Sequence, residues 1–218
     1  MREKVLEILT HPALQLAHLS ADTSNLTSVC DQMLAFLAEW EKWRRKMDLT
    51  SENDARLVLE KHIFDSLQYA RALHKEGSTM DIGSGAGFPG IPLKIVYPGM
   101  DMVLVESRRK RANYLKSVVH VLNLKNIKVI NARAEELDVE YQKRFDQVIF
   151  KAVAPLQECL ELGLPFLREG GRLVVKKEPE ADMTEGNWAK HYVLKEKMPI
   201  QSLAGISSEL LVFEKCST

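Results

Sequence analysis

The rhythm of apolar positions changes near residue 75. Before that point it is helical. Val29, Met33, Phe36, Leu37 and Trp40 recur three and four apart and give one apolar face. Thr27-Ser28 is placed to cap that helix. A second helix is predicted from Ser51 or Asn53 to His74, with Leu57, Phe64 and Leu67 as core candidates, and Gly77-Ser78 ends it. Beyond it, short apolar runs alternate with amphipathic stretches. Strands are predicted at Thr79–Ile82, Met102–Glu106, Ile127–Asn131, Gln147–Phe150 and Arg172–Lys176, the last entered through a Gly170-Gly171 turn. Between them lie helices at Ile91–Tyr97, Arg108–Leu122 and Leu156–Leu167. The tail supplies two more strand candidates, Tyr192–Lys195 and Glu209–Glu214. Strands separated by helices predict an α/β fold with a mostly parallel sheet covered on both faces. The expected division is a helical extension over residues 1–75 and a sheet domain over 76–218.

The first strand carries the densest signal. It runs into Asp81, and Gly83, Gly85, Gly87 and Gly90 follow within a few residues before the next helix. Strand, tight turn and helix N-terminus in that order make a nucleotide-binding corner. Two ligand classes fit it. Gly85-Ala86-Gly87-Phe88-Pro89-Gly90 matches the dinucleotide fingerprint, which seats a pyrophosphate and would make the chain a nicotinamide-dependent oxidoreductase. Against that, Pro89 lacks an N–H donor and Asp81 would repel a diphosphate. The carboxylate suits a nucleoside that carries a cationic amino acid, as S-adenosylmethionine does. A Gly-rich turn that binds nothing is the bland alternative.

Other residues fall at strand ends, where ligands of such sheets bind. Glu106 closes the second strand and can accept hydrogen bonds from ribose hydroxyls. The turn Asn131-Ala132-Arg133-Ala134-Glu135-Glu136 can lie along an adenine edge, or simply open an acid-rich helix. Lys151 ends the fourth strand, where a methyl acceptor would be addressed. His62 and Asp65 share a helix face, as a proton relay or as a buried pair that fixes packing; packing is the expected role.

Composition narrows the classes. Over 218 residues, thirty basic side chains balance thirty acidic ones, so any RNA contact must come from local clusters. Three such clusters stand out: Lys42, Arg44, Arg45 and Lys46 among Trp40 and Trp43; Arg108 to Arg111; and Lys176-Lys177. Cys30, Cys159 and Cys216 lack metal or disulfide spacing, so no metal site is expected and a reducing cytoplasm fits. No apolar run is long enough to span a bilayer, and no signal-peptide core follows Met1.

Together these residues resemble the ribosomal RNA small subunit methyltransferase G family, also called glucose-inhibited division protein B. The likeness runs from about Trp43 to Pro179 and is densest in Asp81-Ile82-Gly83-Ser84-Gly85-Ala86-Gly87-Phe88-Pro89-Gly90-Ile91-Pro92-Leu93. Asp48-Leu49-Thr50, His62-Ile63-Phe64-Asp65-Ser66-Leu67, Lys110-Arg111 and Arg133-Ala134-Glu135-Glu136 also match. The resemblance implies a class I, Rossmann-like methyltransferase fold with an N-terminal helical extension. It implies S-adenosylmethionine as donor and N7 of a guanine in small-subunit (16S) ribosomal RNA as acceptor, free or in a 30S particle, with a monomeric, cytoplasmic enzyme expected. Carried over residue by residue, cofactor contacts fall on Gly83, Phe88, Ala134, Glu135 and Lys151, beside Asp81, Gly85, Gly87 and Glu106 from the corner itself; Lys151 is also the candidate catalytic residue. The acceptor side departs from the family pattern. Phe150-Lys151-Ala152 stands where the family carries Ser-Arg-Ala, Lys177-Glu178 where it carries Lys-Gly, and a basic residue before the last strand is replaced near Ser207-Ser208-Glu209. These changes keep methyl transfer to another RNA, a protein or a small molecule as an alternative, and a non-catalytic binding module is the remaining one.

Overall fold

Burial of the helical face builds the N-terminal third. The computed structural model describes residues 1–179, 187–203 and 208–216. Helix α1 (Arg2–Leu9) buries Val5, Ile8 and Leu9 and packs on α3; a short α2 (Ala17–Ser20) leads into α3 (Thr23–Arg44). That long helix buries Val29, Met33, Phe36, Leu37 and Trp40, as their spacing predicts. Its cap is Asp22, not Thr27-Ser28. The Asp22 side chain accepts from the Ser24 and Asn25 N–H groups, while the Thr27 hydroxyl donates back to the Thr23 carbonyl inside the helix.

The second predicted helix is broken into pieces. Asp54 caps α4 (Ala55–Val58), a π-helical turn spans Leu59–Ile63, α5 covers Phe64–Gln68, and a 3-10 turn closes it at Tyr69–Arg71. Phe64 and Leu67 are buried, but Leu57 is 40% exposed. A π turn carries an extra residue per turn and resets the helix phase, so a position that one unbroken helix would bury faces outward.

The sheet has seven strands: β1 (Thr79–Ile82), β2 (Met102–Val105), β3 (Ile127–Ile130), β4 (Phe145–Lys151), β5 (Leu167–Lys177), β6 (Tyr192–Ile200) and β7 (Ser208–Lys215), in the order β3-β2-β1-β4-β5-β7-β6. Strands β1 to β5 pair in parallel, and β7 runs antiparallel to both β5 and β6. Three helices connect the parallel strands: α6 (Gly90–Val96), α7 (Arg109–Val121) and α8 (Leu156–Gly163). The fifth strand starts earlier than its apolar run predicts, and α8 stops correspondingly early. Leu167 already pairs with Phe145, and the glycine pair is absorbed inside β5 as an irregularity in register, with Gly170 at φ +67°. One apolar cluster joins the N-terminal helices to α6 and α7 on one face of the sheet, and a second packs α8 against the other.

The chain leaves β1 toward β2 on one side, while β4 lies on the other. The strand order therefore reverses at β1, and the crevice opens at the carboxyl ends of β1 and β4. Asp81 and Lys151 stand at those ends.

Candidate active site

The corner after β1 is held by its own acids. Asp81 is 1% exposed; its Oδ2 accepts from the Gly90 N–H at 3.1 Å, and its Oδ1 has no partner among the described residues. Burial pushes its pKa up to about 7, with the charge of Glu106 adding to the rise. Only glycine permits the approach at position 90: a Cβ there would lie 2.6 Å from Asp81 Oδ2 and 2.5 Å from Leu104 Cδ2. Gly83 has φ +74°, and a Cβ on it would stand 2.8 Å from a methyl of Val153, which comes from the loop after β4.

Glu106 follows β2 directly and is 5% exposed. Its Oε2 accepts from the Gly85 N–H at 2.9 Å and its Oε1 from the Arg108 N–H at 2.7 Å. Asn131 steadies this segment from the next loop, donating through Nδ2 to the Glu106 and Ser107 carbonyls, 2.9 Å each. Five of the turn's N–H groups are occupied: those of Gly83 and Ser84 go to the Val105 carbonyl, Gly87 to Ser84, Gly85 to Glu106 and Gly90 to Asp81. A pyrophosphate would find no nest of free donors among them. A nucleoside with a cationic tail finds a buried, unpaired carboxyl oxygen and a preset acid at the ribose position. The residues present fit S-adenosylmethionine on these grounds.

The structure brings Asp81, Gly83, Gly85, Gly87, Phe88 and Glu106 together, the glycines at 83, 85 and 87 all with positive φ. Ala134 and Glu135 sit after β3 on a short 3-10 turn, Ala134–Glu136, rather than on the start of a helix. Ala134 is buried and Glu135 is exposed, with no hydrogen bond to the corner among the described residues. Lys151 Nζ lies 5.4 Å from the centroid of the Phe88 ring, so the β4 end and the glycine turn meet across Phe88.

On the acceptor side the helical extension intrudes. His62 and Asp65 do not pair with each other. His62 Nδ1 lies 3.0 Å from Lys151 Nζ, its Nε2 lies 2.6 Å from Glu52 Oε2, and its ring stacks on Phe88 at 5.1 Å and 18°. Asp65 pairs with Lys176, the register neighbour of Lys151 on β5. The expected single helix-packing pair is instead two links from helix to strand end. Sequence reasoning missed Glu52 altogether, because it precedes α4 and reaches His62 through a contact between loop and helix that no periodicity marks. Burial lowers the Lys151 pKa to about 8, helped by the Lys176 charge, and it holds His62 below the ordinary imidazole value. Glu52 is held down to about 2 by its bond to His62, which overcomes its burial. Ala152, next to Lys151, has φ +55°, an uncommon conformation for a residue with a Cβ. Of the departures noted in the sequence, Glu178 is exposed, Ser208 is buried at the start of β7, and Ser207 lies outside the described residues.

Two of the basic clusters converge. Glu39 accepts from Ser117 at 2.7 Å, Trp43 meets Tyr114 edge-on at 5.9 Å, and Arg111 Nη2 donates to the Asp48 carbonyl at 3.2 Å. The C-terminal end of α3 therefore lies against the N-terminal end of α7, beside the glycine turn.

The family described as rRNA small subunit methyltransferase G matches residues 29–208 of this chain. The ribosomal RNA small subunit methyltransferase G of Roseiflexus castenholzii is 41% identical over 155 residues, 70% of this chain and 66% of that protein. The protein of the same name from Acetivibrio thermocellus is 34% identical over 186 residues, 84% of this chain and 73% of that one. The match to the Mycoplasma capricolum relative, at 43% identity, spans 63% of this chain and 59% of that protein. Matches thus span about two thirds of the relatives' length. Among solved structures, M. jannaschii TYW2 in complex with AdoMet superposes with a TM-score of 0.57 at 19% identity, over 71% of this chain and 74% of that one. P. horikoshii TYW2 in complex with MeSAdo gives 0.57 at 11%, over 72% and 63%. At such identities these two speak for the fold, a Rossmann-like methyltransferase sheet.

Proposed function

Because the chain belongs to the rRNA small subunit methyltransferase G family, we propose that it transfers a methyl group from S-adenosylmethionine to N7 of a guanine in small-subunit ribosomal RNA. One observation carries the reading: at the switch point, a buried Asp81 with an unpaired oxygen faces the same turn that Glu106 pins through Gly85. Asp81 would take the donor's ammonium, Glu106 its ribose, and the turn at Ala134 its base. When bound, the donor's sulfonium supplies an electrophilic methyl group.

The protein's part is positioning. Guanine N7 carries an exposed lone pair and needs no deprotonation before attack. No general base is called for; holding the nitrogen in line is the work. Lys151, at the end of β4 beside Phe88, would anchor the acceptor through guanine O6 or a phosphate oxygen. Phe88 lies between the turn and Lys151, and Val153 packs over Gly83. The basic ends of α3 and α7 would face the RNA backbone, and the protein would act as a monomer in a reducing cytoplasm. A base displaced from its stack suits this crevice.

Labelled donor incubated with the protein and either naked 16S RNA or 30S particles tests the reading. Label should appear in small-subunit RNA as N7-methylguanosine at one position. Label in protein or small molecules alone, or none with either substrate, refutes it.

A further inference from the structure

We propose that Glu52 and His62 are positioning residues of the methyl-transfer site: a neutral His62 imidazole, oriented by Glu52, holds the Lys151 ammonium where the acceptor is addressed. The proposal rests on the methyl-transfer reading of Lys151 given above.

The hydrogen-bond logic fixes the proton positions. An ammonium has donors and no acceptor, so its contact with His62 Nδ1 at 3.0 Å requires a lone pair on that nitrogen. The ring proton then sits on Nε2 and donates to Glu52 Oε2 at 2.6 Å. Acid, imidazole and amine thus form one chain that runs from the helical extension to the end of β4. Stacking on Phe88 at 5.1 Å and 18° holds the ring plane, and the Glu52 contact at Nε2 turns Nδ1 toward Lys151. The π turn Leu59–Ile63 carries His62, and such turns recur at functional sites because they displace one residue from the helical ladder.

The surrounding charges favour this arrangement. His62 is faced by Lys151 from β4, by Glu52 from the loop before α4 and by Asp65 from α5. Lys151 is faced by Lys176 from β5, Asp65, Asp81 from β1 and Glu52, while Lys61 lies 3.4 Å from Glu52. A second proton on His62 would put an N–H against an ammonium already neighboured by Lys176. Imidazolium formation therefore breaks the Lys151 contact rather than strengthening it. Burial and the Lys151 charge both hold His62 below its ordinary value, so the contact stands at neutral pH and fails in acid.

Two measurements test this. In the first, methyl transfer to 30S particles is followed against pH for the full-length protein, H62A and H62N. The wild type should lose kcat in acid, about tenfold per pH unit below the His62 titration. H62A should lose roughly ten- to a hundredfold in kcat at neutral pH while its affinity for S-adenosylmethionine stays within about twofold, because one bond to a charged group is gone. Asparagine presents a carbonyl oxygen near the place of Nδ1 and cannot titrate, so H62N should recover most of the loss and lack the acid limb. An H62N profile with the wild-type acid limb, or an H62A kcat equal to wild type, overturns the proposal. In the second measurement, 15N-histidine spectra are recorded without substrate. His62 should be the Nε2–H tautomer at neutral pH, and K151M should shift its Nδ1 resonance. An unmoved Nδ1 resonance overturns the contact itself. No transfer by the wild type at any pH, with the Nδ1 response intact, overturns the acceptor reading and leaves the contact standing.

Discussion

Replacing Asp81 with asparagine should make the ligand-free protein more stable and the enzyme worse. Moving a carboxyl from 3.8 to about 7 costs its ionised form on the order of 4 kcal/mol. The fold retains a proton that the unfolded chain has released, so the penalty grows as pH rises from 3.8 to about 7 and is constant above that. Asparagine removes the charge and can still accept the Gly90 N–H through its carbonyl oxygen. Its amide is left where Asp81 Oδ1 has no partner, at a cost of about 1–3 kcal/mol. The net gain at about pH 8 is about 2 kcal/mol, or about 4–8 °C in Tm for a chain of this size. It should shrink to nothing near pH 5.5, where the carboxyl is protonated in the fold. Thermal melts of both proteins across that range measure it. Calorimetric titration should show S-adenosylmethionine affinity falling roughly tenfold or more, since the ammonium loses a charged partner. Destabilisation by the same amount at every pH, or undiminished donor affinity, would refute the account of Asp81.

Lys151→Ala should lower methyl transfer to 30S particles by roughly tenfold or more and by more than it lowers donor affinity, as kcat and Kd measured on one preparation would show. Gly90→Ala puts a methyl 2.5–2.6 Å from Leu104 and Asp81; it should cost about 1–3 kcal/mol in urea unfolding, and donor affinity should fall with it. Glu106→Ala frees the Gly85 and Arg108 N–H groups, so the turn loosens and KM for the donor should rise roughly tenfold with kcat little changed. Asp65→Asn leaves the half-buried Lys176 facing a neutral partner and should cost about 1–3 kcal/mol in the same urea experiment.

Much of this site is legible in the chain because its elements are local. Asp81, the glycines and Glu106 lie at the ends of runs whose apolar rhythm marks β1 and β2, so fold and corner are read together. Helix α3 is equally readable, although its cap is not: Asp22 and Thr27-Ser28 are both plausible caps, and backbone conformation decides between them. The pairing of His62 with Lys151 and of Asp65 with Lys176 is not readable. Two residues three apart on a helix share a face, but which strand end that face meets depends on the phase of the whole segment. That phase is set at Leu59–Ile63 by a turn that no periodicity announces, and it also carries Leu57 out to solvent.

The same turn makes the protein unequally tolerant of two kinds of genetic change. A point substitution at Lys61 or Glu60 leaves the register of the segment alone. Losing one codon anywhere between Leu59 and Ile63 would remove the extra residue, joining α4 and α5 as one regular helix with both flanks nearly in place and re-aiming the side chains of the turn itself, His62 among them. Phe64 and Leu67 would keep their seats in the core, but Glu52 would no longer stand opposite His62. Lineages derived from this sequence should therefore accumulate replacements through this stretch while its length stays frozen.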